Sequence, residues 1–434
     1  MAPVAGSALR DCLGAESVDS SEAIYRYAAG GMVPNCVLKP RSIDEVCAAV
    51  RTARDGDLAL ISVGNGTHLD IGRPPRRYDA ALATSRLDRI IAHDAADMTV
   101  TAEAGVTLGV LARALAPARQ WLPLDPARSA EMTIGGLIAA DRSGPLRCGY
   151  GKVRDWLIGV KVVGADGAVV HGGGRVVKNV AGYDLPKLFA GSFGTLGVIV
   201  EATFKVRPLP EGEALFLWPA PALAQAFELA LRILGAPLEP VLLEAVNDAA
   251  AESLGLEAST CVVMGCAGAA AHLDEQERRL RELSGGAAQR VRDERVAALR
   301  RALSDFSQPE NDEGIVARVS TLPTALASFL PEVERAAVDR RIVVEIGAHA
   351  ANGVGWCQLL GAPSATVLAE FAAWLRAEAR QRGAWVVFEA LPPALRDRVD
   401  PWDYSEPAVR LMRGVKRALD PTDVFSPGRF VGGI

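Results

Sequence analysis

The chain has 434 residues, 50% of them hydrophobic and 23% charged, and a formal net charge of −5. That length and apolar content suit two or three domains with sizeable cores, and the slight acidic excess argues against a nucleic-acid surface or a face for anionic membranes. The seven cysteines show no Cys-x-x-Cys spacing of the kind that holds zinc or an iron–sulfur cluster, so reduced thiols and a cytoplasmic location are expected. No charged, apolar leader pattern opens the sequence, and no apolar run reaches transmembrane length.

In chain order, Ser42 precedes Glu45 by three residues at the start of a helical pattern running to Arg54, which predicts a capped helix. A short strand follows at 59–63 and leads into the glycine turn 64–67. Further strands are expected at 98–103, 157–164, 169–171 and 198–206, and helices at 108–116 and 183–189. After the Pro/Gly cluster at 207–212 the texture turns to Ala/Leu-rich helices at 221–234 and 271–283, with strands at 260–264 and 341–346. The mixed charges from Asp274 to Arg300 fit a solvated helical face. The expected architecture is α+β: a first domain over 1–212, a second over 213–414, and a tail over 415–434 that returns to the first.

The densest signal lies between Gly172 and Val200, where Lys178-Asn179 and Tyr183-Asp184 sit among glycines at 182, 191, 194 and 197 and lead into an apolar strand. Glycines permit positive φ and close approach of backbone to a flat or anionic ligand, which points to the wall of a cofactor site. Gly64-Asn65-Gly66-Thr67-His68, just after a strand, offers backbone N–H groups for a pyrophosphate. Leu69 stands where the third glycine of a dinucleotide fingerprint would be, so an ordinary glycine-rich turn is the competing reading. Thr133-Ile134-Gly135-Gly136 is either a helix start capped by Thr133 or a backbone approach to a ring, and the two are compatible. Asp184 has the position of a helix cap.

These segments resemble FAD-linked oxidoreductases of the vanillyl-alcohol-oxidase type, with a PCMH-type FAD-binding domain. The wording Val177-Lys178-Asn179-Val180-Ala181-Gly182-Tyr183-Asp184-Leu185 is most similar to the flavin-binding E-type subunits of bacterial glycolate oxidase complexes. The resemblance implies FAD, held by residues 64–68, by Pro123, Leu124 and Asp125, and by Thr133, Ile134, Gly135 and Gly136. It further implies Gly144, Arg147, Gly149, Tyr150, Gly151 and Val153, then Lys178 and Asn179, then Gly197, Val198 and Ile199, and Arg429 in the terminal Asp-Pro…Ser-Pro-Gly-Arg signature. Arg147, Lys152 and Arg154 are either cations for the diphosphate or reduced ring, or members of surface ion pairs. Relatives with covalent flavin place a histidine where this chain has Thr67, so the FAD is expected to be non-covalent, and His68 is either a cofactor contact or a solvent-facing loop residue.

The resemblance also implies oxidation of glycolate or a D-lactate-like 2-hydroxy acid, a catalytic FAD-bearing sibling subunit, and an iron–sulfur subunit as electron acceptor, with peripheral attachment to the inner membrane through that complex. A self-contained FAD dehydrogenase and a non-catalytic scaffold are the rival readings. Catalytic relatives carry a His-x-Gly-Asp-Gly-Asn-x-His run whose histidines can hold a metal, whereas this chain has His349-Ala350-Ala351-Asn352-Gly353. No metal site is expected. The candidates for a proton acceptor are Lys178, Tyr183 and His349, with His349 preferred as a satisfied structural histidine.

Overall fold

The computed structural model describes residues 2–174, 182–256, 259–291, 295–308 and 314–434. Lys178 and Asn179 lie outside the described residues. Among those described, the strands β1 (Val18–Asp19), β2 (Cys36–Leu38), β3 (Leu60–Val63) and β4 (Ala80–Ala83) form a small sheet in the order β1-β2-β4-β3. β3 and β4 are buried along almost their whole length, as parallel strands covered on both faces require. Helix Ile43–Asp55 packs against this sheet through Val46, Ala49, Val50 and Ala53. Its start is fixed as expected: Ser42 Oγ accepts from Glu45 N at 3.2 Å, and Glu45 Oε2 accepts from Arg41 N at 2.7 Å.

A second sheet contains β5 (Ile90–Asp94) and β6 (Thr99–Glu103), and beyond the short β7 (Gln120–Trp121) it adds β8 (Leu157–Val163), β9 (Val169–Gly173) and β10 (Val198–Lys205). Its order is β5-β6-β10-β8-β9, all antiparallel. The helices Leu108–Leu115 and Ile134–Ala140 close one face of it around Ile134, Leu137, Ile138 and Phe204. β11 (Arg207–Pro208) then pairs with β7 and carries the chain out of this half.

The remaining strands are β12 (Gly212–Pro219), β13 (Leu242–Val246), β14 (Cys261–Gly268), β15 (Gln289–Val291), β16 (Ile315–Ser320), β17 (Val343–His349), β18 (Val354–Leu360) and β19 (Trp385–Ala390). They make one sheet in the order β15-β12-β14-β13-β17-β18-β16-β19. Helices Leu223–Leu234, Pro323–Asp339 and Ala365–Gln381 bury their apolar stripes on one face, and the other packs a second core with Ala250, Ala251, Leu299, Leu303 and Phe306. After helix Glu406–Leu419 the chain returns to β3: Leu60 N donates to Val424 O at 2.7 Å, and Ser426 N to Leu60 O at 2.8 Å. No helix among the described residues is long and apolar enough to cross a membrane.

Candidate cofactor cleft and an inner cavity

The loop 64–69 leaves the end of β3 and forms one wall of a cleft whose opposite wall is the start of helix Ile134–Ala140 together with Phe193, Gly194 and Arg429. The cleft is open to solvent along one side. Gly64 is required by contact, since a Cβ there would lie 2.0 Å from Thr133 Oγ1. Gly66 is required by conformation, at φ +74°, with open cleft where its side chain would project. Thr133 caps the helix as expected, its Oγ1 accepting from Gly136 N at 3.2 Å. Asn65 Nδ2 ties the loop to Glu131 O at 2.8 Å.

Arg429 lies under the loop and donates from Nη2 to Ile71 O at 2.8 Å and to Leu69 O. Burial lowers its guanidinium to about 10, and no carboxylate pairs with it among the described residues. A buried cation without an anion at the wall of a cleft fits a site for an anionic ligand. His68 is not the solvent-facing loop residue that the sequence left open. Burial holds its imidazole down at about 3, Nδ1 meets Thr67 Oγ1 at 3.1 Å, and Nε2 is buried without a partner. A buried polar atom such as His68 Nε2 is costly unless a bound group satisfies it, and with the glycine loop and the Arg429 guanidinium in the same cleft the residues present suit an anionic cofactor such as FAD.

The expected site residues divide by position. Gly64 to His68, Thr133, Gly136 and Arg429 line the cleft. Gly135 does not face it: a Cβ there would meet Ala104, and its N–H donates to Ala104 O at 2.8 Å. Ile134, Val153 and Val198 are fully buried in the core, with Leu124 and Ile199 nearly so. Gly197 packs on β8, where a Cβ would meet Val162. Gly149 donates to Val241 O at 3.1 Å and belongs to the contact between the two halves. Tyr150 stacks edge-on with Trp121 and carries Arg207 over its ring, and Gly151 makes a positive-φ turn beside it. Arg147 and Lys152 are half-buried cations, each lowered by burial and facing Asp141. Tyr183 is 93% exposed, and Asp184 caps the following helix through Lys187 N.

Gly144 stands at a second, smaller cavity of about 10 Å³ between the halves, room for about one water, lined also by Ser143, Glu244, Ser304, Ser307, His349 and Trp356. Gly144 admits no side chain, because a Cβ would sit 1.9 Å from Asp125 O. Asp125 is buried here, its carboxylate accepting from Leu146 N and from Ser304 Oγ at 3.1 Å; burial pushes it up to about 7. His349 lies opposite Glu244 in the antiparallel register of β13 and β17, which places both side chains on one face. Its Nδ1 meets both Glu244 carboxylate oxygens, at 2.7 and 2.8 Å, and its ring meets Trp356 edge-on at 4.6 Å. Its Nε2 is buried and unpartnered, so His349 is not the satisfied structural histidine the sequence favoured.

Trp356 Nε1 donates to Glu389 Oε2 at 3.1 Å, and Glu389 sits where β19 bulges against β16. Burial would raise the Glu389 carboxyl, but Arg142 and Arg318 outweigh it and hold it at about 2. Arg318 Nε donates to it at 2.6 Å and Arg142 Nη2 at 2.8 Å, while Arg142 also reaches Ser307 Oγ at 3.3 Å. The triad has a net positive charge beside the cavity. Sequence reasoning missed Arg142, Glu244, Trp356 and Glu389. The available signal was a single carboxylate inside each of two otherwise apolar strands, 242–246 and 385–390. No group of three His, Cys, Asp or Glu side chains among the described residues could hold a metal ion.

Residues 34–173 match the family model of the FAD binding domain, and residues 401–430 that of the C-terminal domain of FAD linked oxidases. The chain is 33% identical over 237 residues to glycolate oxidase subunit GlcD of Bacillus subtilis, and 37% identical over 152 residues to glycolate oxidase subunit GlcE of Escherichia coli. Those matches take in 53% and 35% of this chain and span half the length of the first relative and 43% of the second. A match of 29% identity to D-2-hydroxyglutarate dehydrogenase of Xanthomonas citri takes in 91% of this chain and 89% of that protein. In structure, 4-ethylphenol oxidase from Gulosibacter chungangensis superposes with a TM-score of 0.78 over 98% of this chain and 96% of its own, at 18% identity, a likeness of fold.

Proposed function

We propose that the chain, an FAD-dependent oxidoreductase whose FAD-binding segments match those of FAD-linked oxidases, oxidises glycolate or a D-lactate-like 2-hydroxy acid as the flavin-binding, E-type subunit of a glycolate oxidase complex. The observation that carries the substrate class is the likeness to proteins named glycolate oxidase subunits and D-2-hydroxyglutarate dehydrogenase; in the structure, Arg142 and Arg318 bring two cations against the one Glu389 carboxylate, a charge balance that could receive a further carboxylate. The matches to subunits named for glycolate oxidase support the complex. In this reading a sibling flavin subunit and an iron–sulfur subunit take the electrons onward.

The loop 64–68, Thr133, Gly136 and Arg429 would hold the FAD non-covalently, and the FAD supplies an acceptor for two electrons as hydride. The protein's own groups do the rest. Arg429 fixes the loop and offers positive charge to the cleft, the arginine triad and Ser307 orient the substrate carboxylate, and burial excludes water.

The test is anaerobic titration of the FAD-loaded chain with glycolate, D-lactate and a primary alcohol lacking a carboxylate. Bleaching of the flavin by the hydroxy acids alone is expected. Bleaching by the simple alcohol with none by the acids would overturn the substrate class, and failure of an iron–sulfur partner to co-purify from the source cells would overturn the subunit reading.

A further inference from the structure

Helix Glu406–Leu419 lies on the outside of the molecule and buries only Val409 and Lys416 of its 14 residues. Val409 packs with Ile71, Trp402 and Val431, and Lys416 Nζ donates to Thr195 O at 2.9 Å, to Phe425 O at 2.8 Å and to the Asp420 carboxylate. Arg413 Nη2 donates to Gly432 O at 2.9 Å. The helix is thus clamped along one edge to the half that carries the cofactor cleft, and the rest of its surface is open.

That open surface is ordered. Leu411, Val415 and Leu419 recur every fourth residue with Met412 beside them, which makes one apolar stripe. Leu411 is 72% exposed, and Met412 and Leu419 are exposed as well. Arg410, Arg413 and Arg417 form a second stripe, and none of them makes an ion pair among the described residues. At about 100° per residue the two stripes point roughly 180° apart, with the clamped edge between them on one side and Pro407, Gly414 and Ala418 between them on the other. Across the open arc the order is therefore cations, small residues, apolar side chains. Gly414 leaves the crest clear, since a Cβ there would meet nothing within 4 Å. Helices Leu223–Leu234 and Pro323–Asp339 turn their apolar stripes onto the sheet; here the stripe faces water, a cost that a covering partner removes.

We propose that helix Glu406–Leu419 docks into a groove of a partner protein, with an apolar wall against Leu411, Val415 and Leu419 and carboxylates against Arg410 and Arg417. Charge decides this occupant. A bilayer surface needs cations flanking the apolar stripe, within reach of the headgroups, and here they point the opposite way. A second copy related by a two-fold axis brings the same arginines, with Glu406 as the one exposed carboxylate on the helix. A groove with an acidic rim meets all three parts of the arc, and its backbone approaches closely over Gly414. That the partner is the sibling flavin subunit rests on the subunit reading above. Docked here, it lies against the segment that runs from Asp420 to Arg429 at the wall of the cofactor cleft.

The experiment mixes the FAD-loaded chain with the purified sibling flavin subunit and reads Kd by calorimetry, for the unaltered chain and for Gly414→Gln, Leu411→Asn, the double variant Arg410→Glu/Arg417→Glu, and Leu234→Asn as a control at an exposed leucine of another helix. Because the space over Gly414 is open and glutamine is the better helix former, Gly414→Gln should melt no earlier than the unaltered chain, yet bind the partner about tenfold more weakly or worse. Leu411→Asn should weaken binding about tenfold, and the double charge reversal should also remove most of its salt dependence. Leu234→Asn should change nothing. Hydrogen exchange of the amides over 406–419 should slow in the complex. Full affinity in both Gly414→Gln and Leu411→Asn would overturn the docking helix while leaving the subunit reading intact. Binding to phosphatidylglycerol vesicles, or self-association in sedimentation, that is lost in Leu411→Asn would overturn it in favour of a membrane or a second copy. If the unaltered chain forms no complex with the sibling subunit, the subunit reading itself fails and the proposed partner with it, a result distinguishable from failure of the helix alone.

Discussion

Substituting alanine for Gly64 tests whether the cleft is built as the contact between loop and helix implies. The new Cβ would lie 2.0 Å from Thr133 Oγ1 and 3.0 Å from both Thr133 Cβ and Cγ2. The Thr133 side chain relieves this by rotating its oxygen away, which releases Gly136 N from its 3.2 Å bond. Losing the cap costs about 1 kcal/mol, and the residual crowding about 1–3 kcal/mol, so Gly64→Ala should lose roughly 2–4 kcal/mol in urea unfolding. In a Thr133→Ala background the cap is already gone and only Cβ is left nearby. The same substitution should then cost about 1–2 kcal/mol, a coupling of about 1–2 kcal/mol between residues 69 positions apart. FAD affinity, read by flavin fluorescence, should fall about tenfold or more in Gly64→Ala, which corresponds to about 1.4 kcal/mol. Additivity of the two substitutions within about 0.5 kcal/mol, or an unchanged FAD affinity, would refute the reasoning.

Asp125 gives a pH dependence with a definite sign. Its carboxyl is raised by burial from 3.8 to about 7 in the folded chain, so between those values the folded state holds the extra proton and stability falls as pH rises, levelling off above about 7. Asp125→Asn should remove that slope, and urea midpoints between pH 5 and 8 that decline equally in both proteins would count against it. For the cofactor, Thr67 stands where a linking histidine would be and the His68 ring is anchored to Thr67. Acid precipitation should therefore release all flavin into the supernatant, and colour retained on the pellet would show a covalent bond.

Much of the first half was legible because its information is local. The glycine turn after β3, the cap at Thr133 and the cap at Asp184 are each decided by residues within three or four positions, and the buried strands announce themselves by unbroken apolar runs. The division of labour between Gly135 and Gly136 was not legible, since adjacent helical residues point about 100° apart and only the packing of β6 against the helix decides which one meets the cleft.

The inner cavity was hidden for a stronger reason. Glu244 and His349 are 105 residues apart, and Arg142 and Glu389 are 247 apart. His349 by itself, without a second histidine nearby, gave no ground for preferring a reactive over a structural role. Strand register set Glu244 opposite His349, and a bulge turned Glu389 toward two arginines from different halves. Sequence alone pointed to a glycine turn and a helix cap able to wall a cofactor, because those depend on short-range conformation, while FAD itself was implied by the family resemblance. The tertiary structure decided which charges meet and which nitrogen is left free, because pairing across a sheet depends on register, and a one-residue slip would send every one of those side chains to the opposite face.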